Sequence, residues 1–413
     1  MSKLSQHEIM SLLLQLSIML LAGRILAEAA RKLKQPAVIG EILAGIILGP
    51  TILGMISPDA FNQLFPVGTS AVVLDGFVQV AVVMLLFIAG LEVDLHIVWQ
   101  QGRPATITSL FGLVVPFAFG FFLPYFFPDF FGYADEGKRL AFALFMGTSM
   151  AITALPVIVR ILMDLNIFKS RMSMLVISSA MINDLIGWLI FSIVLGMIGK
   201  GHQNLSLVNT VLMTIGFTAV MLTFGRGLIN RVLPWINKKL AWPGGLLSVS
   251  LALCFLAAAM TEFIGIHAIF GAFILGVAFG DSEHMSERAK EIIHQFINNI
   301  FAPLFFVSIG LKVNFAANFD PVLTLIILVI AFAGKILGSG YGARLSGLAW
   351  NESLAVGFGM NARGAMEIIL GLIALDNGLI DERVFVSLVI MALVTSITSG
   401  PLMKWSLSRS WKT

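Results

Sequence analysis

A single carboxylate, Asp184, stands near the middle of the apolar run from about Met172 to Ile198, in the stretch SSAMINDLIGW (178–188). That run is long enough to cross a bilayer, whose hydrocarbon takes roughly 20 helical residues. Insertion scales put an aspartate at that depth at a cost of roughly 2.5–3.5 kcal/mol, so a chain that keeps one uses it for an ion or proton path or pairs it with a base. A proton and a bare metal cation compete for the same carboxylate oxygen. If the protein changes its exposure only when that oxygen is occupied, one direction carries the cation and the return carries the proton. That is antiport.

Other polar residues at membrane depth join Asp184 as candidates. Asn183 precedes it directly. Lys335, central in LVIAFAGKILGSG, reads either as a charge compensator for Asp184 or as a lysine that changes protonation during the cycle. Arg363 and Glu367 are four apart and pair on one face if the backbone between them is helical. Their favoured role is structural, with Arg363 neutralising a half-helix C-terminus and Glu367 adding an oxygen or holding Arg363 in place. Thr148, Ser149 and Thr153, in GTSMAITALPVIVR, offer hydroxyls and freed carbonyls to a hard alkali cation. Set against that is the ordinary habit of such residues in membrane helices, which is to bond their own backbone. Asp184 is thus the expected alkali-metal ligand, and Asn183, Thr148, Ser149, Thr153, Arg363 and Glu367 are the candidates around it.

Glu41, Asp75 and Glu262 lie nearer span ends and read as interfacial or network acids, and His267 as a hydrogen-bonded helix-start residue. Gly276 and Gly280, four apart, read as helix packing. The one cysteine, Cys254, sits in an apolar run and makes neither an intrachain disulfide nor a multi-thiolate metal site. No HExxH, P-loop, GxSxG or credible dinucleotide fingerprint occurs. The expectation is a protein that is not an enzyme and takes no cofactor.

The elements that must position these residues are helices in lipid. Hydrophobic residues make up 58% and charged residues 12% of the 413 residues, against roughly 45–50% and 25% in soluble chains. The net charge of +3 is spread over many short loops, which gives no stripe for nucleic acid. Apolar windows predict an all-α polytopic membrane protein of thirteen spans. The first seven cover about 9–29, 37–56, 70–92, 104–126, 139–162, 172–198 and 205–226. The rest cover about 243–262, 265–281, 292–312, 321–346, 352–375 and 383–405, leaving no room for a soluble regulatory domain. Arg24 interrupts the first apolar run, so that run reads as a retained span and not as a signal peptide.

Two spans are ill suited to continuous helices. The fifth carries Pro156 behind its hydroxyl residues, and the twelfth, GFGMNARGAMEII, has Gly357, Gly359 and Gly364 around Asn361 and Arg363. Proline removes a helical hydrogen bond and glycine weakens the helix. Broken backbone at membrane depth survives where it lines a protein cavity, and paired breaks in two halves mark a transporter's binding site. Here spans 1–6 (about 9–198) and 8–13 (about 243–405) make two units of opposite topology around a linking helix at about 205–226, with a break fifth in each. Seventeen loop bases, among them Arg31, Lys32, Lys34, Lys169, Arg171, Lys238, Lys239, Arg288 and Lys290, fall on one side, while six, Lys3, Lys138, Arg139, Lys200, Lys312 and Arg383, fall on the other. The positive-inside rule then places the N-terminus outside and the C-terminus in the cytoplasm.

Several motifs in order, PAVIGEILAGIILGP, LLFIAGLEVD, GTSMAITALPVIVRIL, SSAMINDLIGW, GIHAIFGAFILG and AGKILGSGYGARLSG, resemble the monovalent cation/proton antiporters. The bacterial branch with sodium/proton and potassium/proton exchangers is the nearest in pattern, and the likeness spans essentially the whole chain. The resemblance implies a homodimer of the bacterial inner membrane, each protomer with a dimerisation domain and a core domain holding two crossing broken helices, working as an elevator. It makes Asp184 the ion-binding aspartate, Asn183 its motif partner, Lys335 the core lysine, and Ser149 and Thr153 the crossover residues near the ion. Family members with two consecutive acids are typically electrogenic, whereas Asn183 before Asp184 is the form associated with electroneutral exchange. Sodium/proton exchange is the first expectation, with potassium/proton exchange close behind. A cation channel or membrane sensor on the same scaffold is the remoter alternative.

Overall fold

The computed structural model describes residues 4–33, 35–132, 136–168, 170–198 and 207–408. Lys3, Lys34, Lys169 and Lys200, used above to orient the chain, lie outside the described residues. The described residues form helices joined by short connectors, with no strand among them. In chain order the first of these are α1 (Gln6–Lys32), α2 (Ala37–Leu48), α3 (Leu53–Ile56), α4 (Pro58–Leu64), α5 (Thr69–Leu91) and α6 (Leu95–Phe126). Then come α7 (Arg139–Ala151), α8 (Leu155–Asp164), α9 (Arg171–Ile198), α10 (Leu207–Val220), α11 (Arg226–Lys239) and α12 (Gly244–Phe263). The last six are α13 (Ala268–Gly280), α14 (Glu287–Lys312), α15 (Pro321–Leu345), α16 (Trp350–Met360), α17 (Ala365–Asp376) and α18 (Glu382–Ser408).

Local chemistry explains where several of these begin. Ser5 opens α1 with a capping box, its hydroxyl accepting from the Glu8 amide while the Glu8 carboxylate accepts from the Ser5 amide at 2.7 Å. Asp94 caps α6 through the amides of His96 (2.9 Å) and Ile97 (3.2 Å). Asp320 caps α15 with Pro321 in the first turn. Gly102, at φ 54°, breaks α6 near its start, in the left-handed region that suits glycine.

Among the described residues, eleven helical spans are long and apolar enough to cross a membrane, or twelve if α16 and α17 count as one broken span bent by 42°. The expected count of thirteen is therefore not confirmed. The difference is the ninth window, which forms the 13-residue α13. At 1.5 Å per residue that helix is about 20 Å long, short of the roughly 30 Å hydrocarbon. Its start is set by Gly265 at φ 86° and by the Glu262 carboxylate, which accepts from the Ala268 amide at 2.8 Å.

The chain divides into two compact units. One comprises residues 1–91, 222–260 and 271–319; the other comprises 92–221, 261–270 and 320–413. In the first, small residues let helices meet backbone to backbone: a Cβ on Gly45 would fall on the Val307 carbonyl, and one on Gly310 on the Gly45 backbone. Gly276 and Gly280, expected to serve packing, lie against Phe87 and Leu91 at the end of α5. Asp75, an expected network acid, pairs with Lys312 at 2.8 Å. In the second unit, Gly334, Gly338 and Gly342 recur every fourth residue of α15 and bring it against Pro116, Phe111 and Thr108 of α6. That seam fixes the rotation of α15 and, with it, the direction of Lys335.

Candidate functional site

Both predicted breaks are present, and they cross. Helix α7 ends at Ala151, residues 152–154 are extended, and α8 resumes at Leu155 with Pro156 in its first turn, where proline's missing N–H costs nothing. Helix α16 stops at Met360 and α17 begins at Ala365. The Ala154 amide donates to the Ala362 carbonyl at 2.8 Å, and Gly364 lies so close that a Cβ there would sit 3.2 Å from that of Ala154. Backbone groups freed by one break are thus met by the other, which lets non-helical chain survive in an apolar interior.

Asp184, on α9, is 3% exposed and lies beside this crossing. Its Oδ1 accepts from the Thr153 amide at 3.4 Å. Among the described residues no Lys, Arg or His nitrogen comes within 4.0 Å of its carboxylate. Lys335, fully buried on α15, turns elsewhere: its Nζ donates to Gly112 O at 3.0 Å, to Thr153 Oγ1 at 2.7 Å and to Ala151 O. An ammonium has three N–H donors and no acceptor, so all three are used. The Thr153 hydroxyl, having accepted from Lys335, gives its own proton to Met360 O at 3.1 Å. Asp184, Thr153 and Lys335 therefore form one chain in which the threonine separates acid from base.

A second cluster closes the end of α7. Arg363 pairs with Glu367 at 2.7 Å, both buried, and donates to Met150 O at 2.7 Å and to Ser149 O. The Ser149 hydroxyl donates to the other oxygen of Glu367 at 2.7 Å. Arg363 does neutralise a half-helix C-terminus, but the one belonging to the opposite break. With Lys335 on Ala151 O, two cations meet the last carbonyls of α7, where the helix dipole favours positive charge.

The remaining expected site residues divide differently. The Thr148 hydroxyl bonds Leu144 O of its own helix at 2.7 Å. Asn183 is buried, and its Oδ1 accepts from Ser109 Oγ at 2.6 Å while its Nδ2 has no hydrogen-bond partner among the described residues. The oxygens of Asn183, Ser149 and Thr153, all expected at the ion, hydrogen-bond to Ser109, Glu367 and the Lys335–Met360 pair, and each keeps a lone pair. Ser109 and Gly112 lay outside sequence reasoning, because a serine or glycine in an apolar helix carries no signal of its own. His267 does stand at the start of α13 as expected, its Nδ1 accepting from the Ile269 amide at 3.5 Å.

The chain matches the model of the transmembrane sodium/hydrogen exchangers over residues 16–408. It belongs to the sodium/hydrogen exchanger family. Relatives in that family include cation/H+ antiporter 17 of Arabidopsis thaliana, 33% identical over 96% of this chain. The chain spans 48% of that relative's length. The Na+/H+ antiporter NhaS4 of Synechocystis is 31% identical, with 95% of this chain and 96% of the relative covered. The fold is shared with the sodium proton antiporter MjNhaP1 from Methanocaldococcus jannaschii, at a TM-score of 0.66 and 17% identity over 96% of this chain and 97% of that one. As an exchanger-family member with eleven long apolar spans among its described residues, the chain is a multi-pass integral membrane protein.

Proposed function

We propose that this protein is a secondary antiporter that exchanges one monovalent cation, sodium in the first instance, for one proton, with Asp184 as the shared site. The observation that carries the reading is a buried carboxylate at the crossing of two broken helices, with the nearby base spent on other oxygens. Such a group is neutralised by whatever cation reaches it, and burial makes leaving it bare expensive. Proton and metal ion are then alternatives. On this reading Lys335, which donates to three oxygens and serves the α7 terminus, keeps its proton through the cycle, so one cation replaces one proton and no net charge moves. The arrangement supports transport and not an enzymatic reaction.

Three further features belong to this proposal. The chain works as a homodimer by elevator motion in a bacterial inner membrane, N-terminus outside. It is built of two opposed repeats, about 9–198 and 243–405, around a linking helix at about 205–226. A second reading, potassium for sodium, draws on the 32% identical K+/H+ antiporter 1 of Saccharomyces cerevisiae.

The test is proton movement in proteoliposomes, followed with a pH-sensitive dye while sodium or potassium is added. Wild type should release its pH gradient on addition of the transported cation without generating a current. Asp184→Asn should be silent. Exchange retained by that variant would remove the site assignment, and a current in proportion to cation flux would remove the one-for-one count.

A further inference from the structure

The second break holds a group that the site as described leaves unused. Asn361 closes α16, is fully buried, and has no hydrogen-bond partner for either Oδ1 or Nδ2 among the described residues. Buried polar side chains are nearly always paired, so an amide idle at both ends calls for an explanation. Its position supplies one. The carbonyl before it, Met360 O, is held by the Thr153 hydroxyl, and the carbonyl after it, Ala362 O, by the Ala154 amide. Asn361 therefore lies between two hydrogen bonds to the break whose Thr153 amide meets Asp184.

We propose that Asn361 is an ion-contacting residue: its amide oxygen joins the Asp184 carboxylate around the dehydrated cation and weights the choice between sodium and potassium. The inference rests on the exchanger reading above. An alkali cation that sheds water needs protein oxygens in its place, and it accepts neutral amide oxygens as well as carboxylates. The oxygens of Thr153, Ser149 and Asn183 each already hydrogen-bond within the protein, whereas that of Asn361 has no protein partner among the described residues. Asn361 adds a ligand without adding charge, so the one-for-one count is kept. A proton on Asp184 needs no such ligand. The residue therefore acts on the metal-loaded form alone.

The experiment measures exchange rates against sodium and potassium concentration in proteoliposomes holding wild type, Asn361→Ala or Asn361→Ser. Asn361→Ala should raise the apparent KM for the preferred cation about tenfold or more and change the sodium-to-potassium ratio, with maximal rate held within about twofold, a tenfold step being about 1.4 kcal/mol of lost interaction. Asn361→Ser, which keeps an oxygen on a shorter stem, should fall between. An unchanged KM and an unchanged cation ratio, with only the maximal rate or melting temperature reduced, would mean a packing role and overturn the inference. If Asn361→Ala does not fold, the cation-induced rise in melting temperature of Asn361→Ser against wild type decides: a smaller rise supports the ligand role, an equal one refutes it. Asp184→Asn runs alongside. Exchange in that variant defeats the exchanger site itself, whereas a silent Asp184→Asn beside an unaltered Asn361→Ala defeats this inference alone.

Discussion

Thr153 uses each of its polar groups on a different partner: amide to Asp184, hydroxyl proton to Met360 O, hydroxyl lone pair to Lys335. Replacing it by valine keeps the volume and the amide but strands one N–H of a buried ammonium. Hydrogen bonds to charged groups are worth roughly 1.5–3 kcal/mol, so Thr153→Val should cut exchange at subsaturating cation by about ten- to hundredfold. Thr153→Ser should stay near wild type. Initial rates in proteoliposomes separate the two, and equal rates for both would remove the hydroxyl from the mechanism. The site's charges were legible in the sequence because Asp184, Lys335, Arg363 and Glu367 stand out in apolar runs. Their partners were not. Whether Lys335 meets Asp184 or three oxygens depends on a helix rotation set by the Gly334–Gly338–Gly342 seam, and Asn361 had no signal beyond its place in a glycine-rich break.

The half-helix α7 ends inside the protein with carbonyls that no fourth-residue amide can reach, and it depends on cations from two other helices. Arg363→Ala leaves Glu367 buried without its partner and uncovers Ser149 O and Met150 O. Breaking a buried pair from one side costs roughly 3–5 kcal/mol, so this variant should melt well below wild type in detergent. Glu367→Gln loses the charge but keeps an acceptor for Ser149, and should melt between the two; a fall as large as that of Arg363→Ala would place the value of the pair in its charge alone. Backbone approach makes a second demand in the other unit. Gly310→Ala drives a Cβ into the Gly45 backbone, and since neither backbone can yield, the expected outcome is loss of folded protein on size-exclusion chromatography. Proline and glycine made both breaks legible. The length of α13 was less so, because the apolar window runs on through Gly265 and the stop comes from that residue's positive φ and from Glu262 acting as a cap.

Composition announces a polytopic membrane protein, yet the grouping of helices into units is not written along the chain. The proposed repeats cut it once, between about 198 and 243, whereas the compact units take residues 1–91 with 222–260 and 271–319, and 92–221 with 261–270 and 320–413. Most of each repeat's early helices fall in one unit and most of its later ones in the other, a discontinuity that hydropathy does not register. One crossing between units falls at Leu91–Glu92, with Gly90 packed against Phe273 on one side and the Asp94 cap of α6 on the other. Glu92, between the spans, has its carboxyl proton held up to about 8 from an ordinary 4.5, by burial first and by the negative charge of Asp184 second. Between those values the unfolded chain has released a proton that the folded chain keeps. The folded state therefore binds more protons, and stability falls as pH rises through the window, levelling above about 8. Glu92→Gln cannot ionise. Its melting temperature, read relative to wild type, should gain steadily from about pH 5 to about pH 8.5 on top of any constant offset from the lost carboxylate. A difference between the two proteins that stays the same across that range would mean that Glu92 ionises in the folded chain as it does in water.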